Sequence, residues 1–243
     1  MHKSFRNLLV AVMMASAAYL SAFSFQPMFV RLDTTGAGNV QTFQVSNEGD
    51  TSIAIRFSVL TRTVGLDGKE ANKDASALFT MYPARVVVEP HSNAAMKLQW
   101  NGPSDLTAEN SFRLVAENVA LDSSVQTTSG LRVMFRYMAS VYVGKPDFTP
   151  RLSWVVKGAT GASGVKGFSV QVVNNGTRHV IADSALLTIS GVKGKVLALG
   201  TKDLGILSGA NYLPGSPQSL FIPNSDAIPG SIYNAKLEFD PKF

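Results

Sequence analysis

From Phe23 onward, apolar residues recur at every second position in short runs, and turn-forming residues separate one run from the next. A period of two sends alternate side chains to opposite faces of a strand, whereas a helix needs apolar residues at three- and four-residue spacing. No window of a dozen residues carries the helical spacing, so the sequence predicts an all-β fold.

The first half holds seven such runs: Met28–Leu32, Val40–Ser46, Ile53–Thr61, Arg85–Val88, Ala95–Trp100, Ser111–Asn118 and Leu131–Val143. In the third, Ile53, Ile55, Phe57 and Val59 are expected to face a core while Arg56 and Ser58 face water. Short strands in that number over this length suit an immunoglobulin-like sandwich. Gly144-Lys145-Pro146-Asp147 and Thr149-Pro150 then read as an elbow. Beyond it the pattern restarts with Leu152–Val156, Gly167–Val173, Val180–Ser190, Leu204–Leu207, Ser219–Ile222 and Ile232–Phe239. The small, polar segment from Lys157 to Lys166 is expected to be a flexible surface loop. The expected organisation is two β-sandwich domains joined at an elbow, residues 23–145 and 146–243.

The N-terminus carries Lys3 and Arg6, an apolar run from Leu8 to Leu20, and small residues around Ser21 and Ala22. That layout is a secretory signal peptide, residues 1–22, with cleavage expected after Ala22 or, second, after Ala18. A bilayer span needs about 20 apolar residues. The run falls short of that, and no later stretch reaches it, so no stable membrane insertion is expected after cleavage. There is no cysteine, so the domains must stand on their hydrophobic cores.

Net charge is +5 for the whole chain, and without Lys3 and Arg6 there remain 20 basic against 17 acidic residues. With no dense Lys/Arg run, nucleic acid is not an expected partner. Of the three histidines, His2 leaves with the leader, His91 sits in a Pro-His-Ser-Asn turn and His179 begins a strand. They supply neither a metal-ligand spacing nor a base for catalysis, and the acidic residues are scattered singly. The expectation is a protein with no enzymatic activity, no cofactor and no metal.

One run is unusual. Leu131–Val143 is 13 residues long, against a usual strand of about 5 or 6. Its odd positions, Leu131, Val133, Phe135, Tyr137, Ala139, Val141 and Val143, form an unbroken apolar face. An ordinary central strand with one core face produces the same pattern. A strand at a sheet edge would instead be open to pairing with a partner by β-augmentation.

Several stretches together resemble the PapD-like periplasmic pilus chaperones, in their short-loop or archaic branch, over essentially the whole mature chain. They are Phe29-Val30-Arg31 with Phe43-Gln44-Val45-Ser46-Asn47, Glu109-Asn110-Ser111-Phe112-Arg113-Leu114, and Tyr142-Val143-Gly144-Lys145-Pro146. In the second half they are Val173-Asn174-Asn175-Gly176-Thr177-Arg178-His179 and Tyr212-Leu213-Pro214-Gly215-Ser216. The short, cysteine-free loop from Ala120 to Gly130 points to that branch.

The resemblance implies a periplasmic chaperone that binds pilus subunits by donor-strand complementation, prevents their aggregation and delivers them to an outer-membrane usher. It places Leu131, Val133 and Phe135 in the subunit's groove, and Arg31 as one of two cations that anchor the subunit's C-terminal carboxylate. The second cation, a lysine in the family, falls on Ser140 here. Arg136 shares that strand face and takes its place in this reading, with Arg132 and Lys145 as alternatives. The competing expectation is a secreted structural or adhesive subunit of a surface fibre, which would lack the final strand of its sandwich.

Overall fold

The computed structural model describes residues 23–119 and 134–242. The expected leader, the Ala120–Gly130 loop, Leu131, Arg132 and Val133 lie outside the described residues.

The first half folds as two facing sheets. Its strands are β1 (Ser24–Gln26), β2 (Phe29–Asp33), β3 (Val40–Asn47), β4 (Ile53–Thr61), β5 (Thr63–Val64), β6 (Glu70–Ala71), β7 (Phe79–Tyr82), β8 (Arg85–Val88), β9 (Ser92–Trp100), β10 (Asn110–Val119) and β11 (Arg136–Gly144). One sheet runs β1-β3-β9-β7 and the other β2-β11-β10-β4-β8, while β5 and β6 form a separate hairpin. Alternation decides the packing. Ile55, Phe57 and Val59 are buried, as are Phe112, Leu114 and Ala116 of β10, and they meet Phe25, Phe43, Val45, Met96 and Leu98 from the facing sheet. Arg56, between two of these, is exposed.

The N-terminal strand is split between the sheets. β1 pairs with β3, the chain turns at Pro27, and β2 then runs parallel to β11.

The second half carries β12 (Leu152–Thr160), β13 (Lys166–Asn174), β14 (Val180–Val192), β15 (Lys195–Leu199), β16 (Ala210–Tyr212), β17 (Pro217–Pro223) and β18 (Ile232–Lys242). β18 is shared: Ile232 and Tyr233 pair with β12, and Asn234 to Lys242 pair with β14. The sheet therefore curls over a second core that contains Val156, Phe168, Val170, Leu187, Ile189 and Tyr212. The two cores share no residue, the first ending at Val143 and the second starting at Val156. The fold is all-β with two sandwich domains.

Two expectations for this half are corrected. Leu204–Leu207 is not a strand: a short helix, α1 (Thr201–Leu204), runs into a 3-10 turn, Gly205–Leu207. Leu204 and Leu207 are buried by helical spacing in a segment too short to reveal its period. The segment from Lys157 to Lys166 is not a loose loop, because β12 continues to Thr160 and β13 begins at Lys166. Gly164 serves the turn, at a φ of 75° with open space around it, while Gly158 is there for closeness. A Cβ on Gly158 would stand 1.9 Å from the Ile228 carbonyl oxygen, and one on neighbouring Gly167 would stand 2.3 Å from that of Ile222.

A buried asparagine braces each domain. Asn47 Nδ2 donates to the carbonyls of Thr51, Val88 and Glu89 at 2.8, 3.0 and 3.1 Å. Asn174 Nδ2 donates to those of Arg178 and Tyr212 at 2.7 and 2.8 Å. Each sits at the end of a strand where several main-chain carbonyls would otherwise be stranded without donors.

Candidate functional site

β11 is nine residues long among the described residues, Arg136–Gly144, and Met134 and Phe135 precede it. β10 flanks it along nearly its whole length, from Arg136 opposite Glu117 to Val143 opposite Asn110. β2 flanks the other side only from Ser140, opposite Phe29, to Gly144, opposite Asp33. β11 is thus an interior strand over its C-terminal half. From Arg136 to Ala139 no described residue pairs with its second side.

Hydrogen-bond parity identifies the groups on that open side. Ser140 N donates to Met28 O at 2.9 Å, whereas Phe135 O accepts from Asn118 N of β10 at 3.1 Å. Even-numbered residues therefore point their main chain toward β2, and beyond the start of β2 those of Arg136 and Met138 face the open edge.

Side chains alternate as the sequence predicts. Ala139, Val141 and Val143 are fully buried, and Tyr137 and Phe135 pack half-buried against the same core, with Tyr137 edge-on to Phe23 at 4.7 Å. The apolar stripe thus continues past the point where β2 stops. Even positions, Arg136, Met138, Ser140 and Tyr142, lie on the outer face.

Arg31 lies on that face opposite Tyr142. Its Nη2 donates to the Lys145 carbonyl, and its Nε is buried without a hydrogen-bond partner among the described residues. Arg136 is exposed at the other end of β11. Six residues separate it from Tyr142, roughly 20 Å along a strand, so the fold does not bring Arg31 and Arg136 together. Lys145 places its Nζ 5.9 Å from the Phe148 ring centre.

The outer face of β11 is also the seat of the second domain. The His179 ring stacks on Tyr142, centres 3.7 Å apart and planes within 9°, with Phe29 beside both. His179 Nδ1 lies 2.5 Å from Glu109 Oε1, within hydrogen-bonding distance, and both side chains are wholly buried. The His179 main-chain N–H donates to the same oxygen at 3.0 Å. The Tyr142 hydroxyl accepts from Arg62 Nη1 of the first domain and from Asn211 Nδ2 of the second, at 2.8 and 2.6 Å. Arg178 sits beside this contact. Burial pulls its guanidinium below its ordinary value, the charge of Arg31 adds to that, and Glu109 opposes it.

In the sequence, Glu109 and His179 stand only as single letters of the stretches that carry the resemblance. Their partnership spans 70 positions and has no periodic signal. Among the described residues, no group of three or more His, Asp or Glu side chains is placed to hold a metal ion, and no helix is long and apolar enough to cross a membrane.

No protein-family model matches the chain, and no curated protein matches it by sequence. Solved structures do match its fold. The structure of the class 5 fimbriae chaperone CfaA superposes with a TM-score of 0.58 at 14% identity, covering 90% of this chain and 100% of that one. A chain from the complex of the chaperone CsuC with the tip adhesion subunit CsuE, from archaic chaperone–usher Csu pili of Acinetobacter baumannii, gives 0.60 at 14% identity over 87% and 97%. A chain from the complex of Salmonella enterica SafA pilin with the SafB chaperone gives 0.55 at 16% over 92% and 98%. The fold is therefore that of the two-domain fimbrial chaperones, reached at an identity that speaks for architecture alone.

Proposed function

We propose that the chain is a periplasmic chaperone for pilus subunits, which lends its client the open half of β11 and passes it to an outer-membrane usher. The carrying observation is the edge from Arg136 to Ala139. It joins main-chain groups that have no partner among the described residues to an apolar stripe that continues beyond the start of β2. An edge of this kind is an aggregation hazard in an isolated protein and a docking strand in one that augments a partner's sheet. Phe135 is the described end of the stripe, and Val133 and Leu131 continue its alternation in the sequence; these three fill the subunit's groove. Arg31 holds the subunit's C-terminal carboxylate, a role its buried, unpartnered Nε supports. The mature domains are 23–145 and 146–243, after a leader of residues 1–22.

The alternative, a structural or adhesive fibre subunit, calls for a first sandwich without its last strand. β11 occupies that position here, bonded to β10. The test is co-expression in a periplasm with candidate pilus subunits, wild type against Phe135→Asp. A one-to-one complex that the variant loses supports the reading. A folded wild type that retains no subunit, or a variant that retains one equally well, overturns it.

A further inference from the structure

Ser140 stands where the resemblance calls for a lysine, and the fold brings a cation to that spot from the next strand. Arg113 of β10 is directly opposite Ser140, and its Nη1 donates to Ser140 Oγ at 2.6 Å. The same guanidinium already holds a carboxylate. Arg113 Nε donates to Glu70 Oε2 at 3.0 Å and Nη2 to Oε1, while Arg62 donates to Oε1 from Nε at 2.7 Å and approaches it equally closely with Nη2. The arginine side chains are only 8% (Arg62) and 17% (Arg113) exposed, against 27% for Glu70.

The three residues are rooted differently. Arg113 sits in the middle of β10, and Arg62 follows β4 with its N–H bonded to Ser111 O at 2.9 Å. Glu70 belongs to a two-residue strand that pairs only with β5. Asn72 and Lys73 tie the residues after it to Thr61, but a two-residue ribbon adds little of its own, and the Glu70 side chain, more exposed than either arginine, is the member of the cluster freest to turn away. The tip of the hairpin is held separately, with Leu66 O accepting from Ser219 N of the second domain at 2.7 Å. Burial would raise the Glu70 carboxyl, but hydrogen bonding to Arg113 and the charges of both arginines outweigh it and hold the group below its ordinary value.

We propose that Arg62 and Arg113 are the second cationic half of this chain's carboxylate anchor, and that Glu70 is its resident occupant, displaced when a subunit's C-terminal carboxylate arrives. The inference rests on the chaperone reading above. Arg31 and Arg113 flank β11 on one face, their Cα atoms roughly 12 Å apart by strand geometry, close enough for both to serve one chain terminus lying over Ser140. Arg136 lies beyond this row, further along β11 and opposite Glu117. Exchanging one carboxylate for another keeps the fork's geometry and spares the free protein two buried, unneutralised guanidinium groups. Glu70 therefore acts as a competitor, and its removal strengthens client binding.

Two measurements on the full chain decide this. In the first, acetate is titrated into protein with labelled arginine side chains, and the Nε–H resonances of Arg62 and Arg113 are followed. In Glu70→Gln they shift together at acetate concentrations at least about tenfold lower than in wild type; an unchanged response overturns the proposal whatever the protein does with subunits. In the second, the probe is a synthetic peptide copying the last strand of a subunit that co-purifies with wild type, with a free or an amidated C-terminus. Glu70→Gln binds the free acid about tenfold tighter than wild type, and Arg113→Ala loses the preference for acid over amide. Arg113→Lys recovers part of that preference, and Arg136→Ala keeps all of it. A merely structural ion pair predicts the opposite sign for Glu70→Gln, and weaker or equal binding overturns the competitor role. If acetate behaves as expected while wild type holds no subunit, the anion site stands and the chaperone reading falls.

Discussion

Along β11, Ser140 to Gly144 runs between two partners and Arg136 to Ala139 has one among the described residues. Both halves obey the same alternation, with odd residues inward and even residues outward. Only the length of β2 separates a core strand from a free edge. Period-two patterning therefore reports which face is apolar and says nothing about whether a neighbour lies alongside.

Val141 is fully buried in the flanked half. Val141→Asp puts a carboxylate into the core, and a loss of more than about 4 kcal/mol is expected in urea denaturation, or no folded protein at all. The same change in the open half, Phe135→Asp, is expected to cost about 1 kcal/mol while abolishing subunit retention, which unfolding and co-purification read separately. Equal destabilisation by the two changes would mean that the halves do not differ. Tyr142→Phe removes a hydroxyl that serves both domains and should cost about 1 to 2 kcal/mol, seen as a lower thermal midpoint.

The smallest expected effect is a pH dependence. Glu70 is held below its ordinary value of 4.5, so the stability it contributes is present above that pH and is lost as pH falls through the folded value. Acid unfolding curves of wild type and Glu70→Gln should draw together as pH falls below 4.5, with wild type the more stable above it.

Strand limits are legible wherever alternation is long. Ile53–Thr61 and Arg85–Val88 fall where the pattern puts them, and Ser111–Asn118 gains only a residue at each end. β1 and β7 leave no signal because three or four residues cannot display a period, whereas the equally short Arg85–Val88 is marked by its run of three valines. Leu204–Leu207 reads as a strand for the same reason, with apolar ends three apart that suit one helical turn better. The glycines of the β12–β13 hairpin suggest looseness because composition does not distinguish freedom from a close backbone approach. Of the site, Arg31 and the stripe through Phe135 are visible in the sequence. Glu109 with His179, and Glu70 with Arg62 and Arg113, are not, since each joins residues from separate strands by side chains whose meeting depends on register.

The split of the N-terminal strand at Pro27 carries a further consequence. Any strand that slides along the open edge toward the elbow meets the main chain at Met28, whose carbonyl is already taken by Ser140 N. The start of β2 is therefore a doorstop, and it sets the phase in which a guest's residues fall opposite those of β11. Moving that stop by two residues would leave every inward-facing side chain inward and shift the guest by one full pleat.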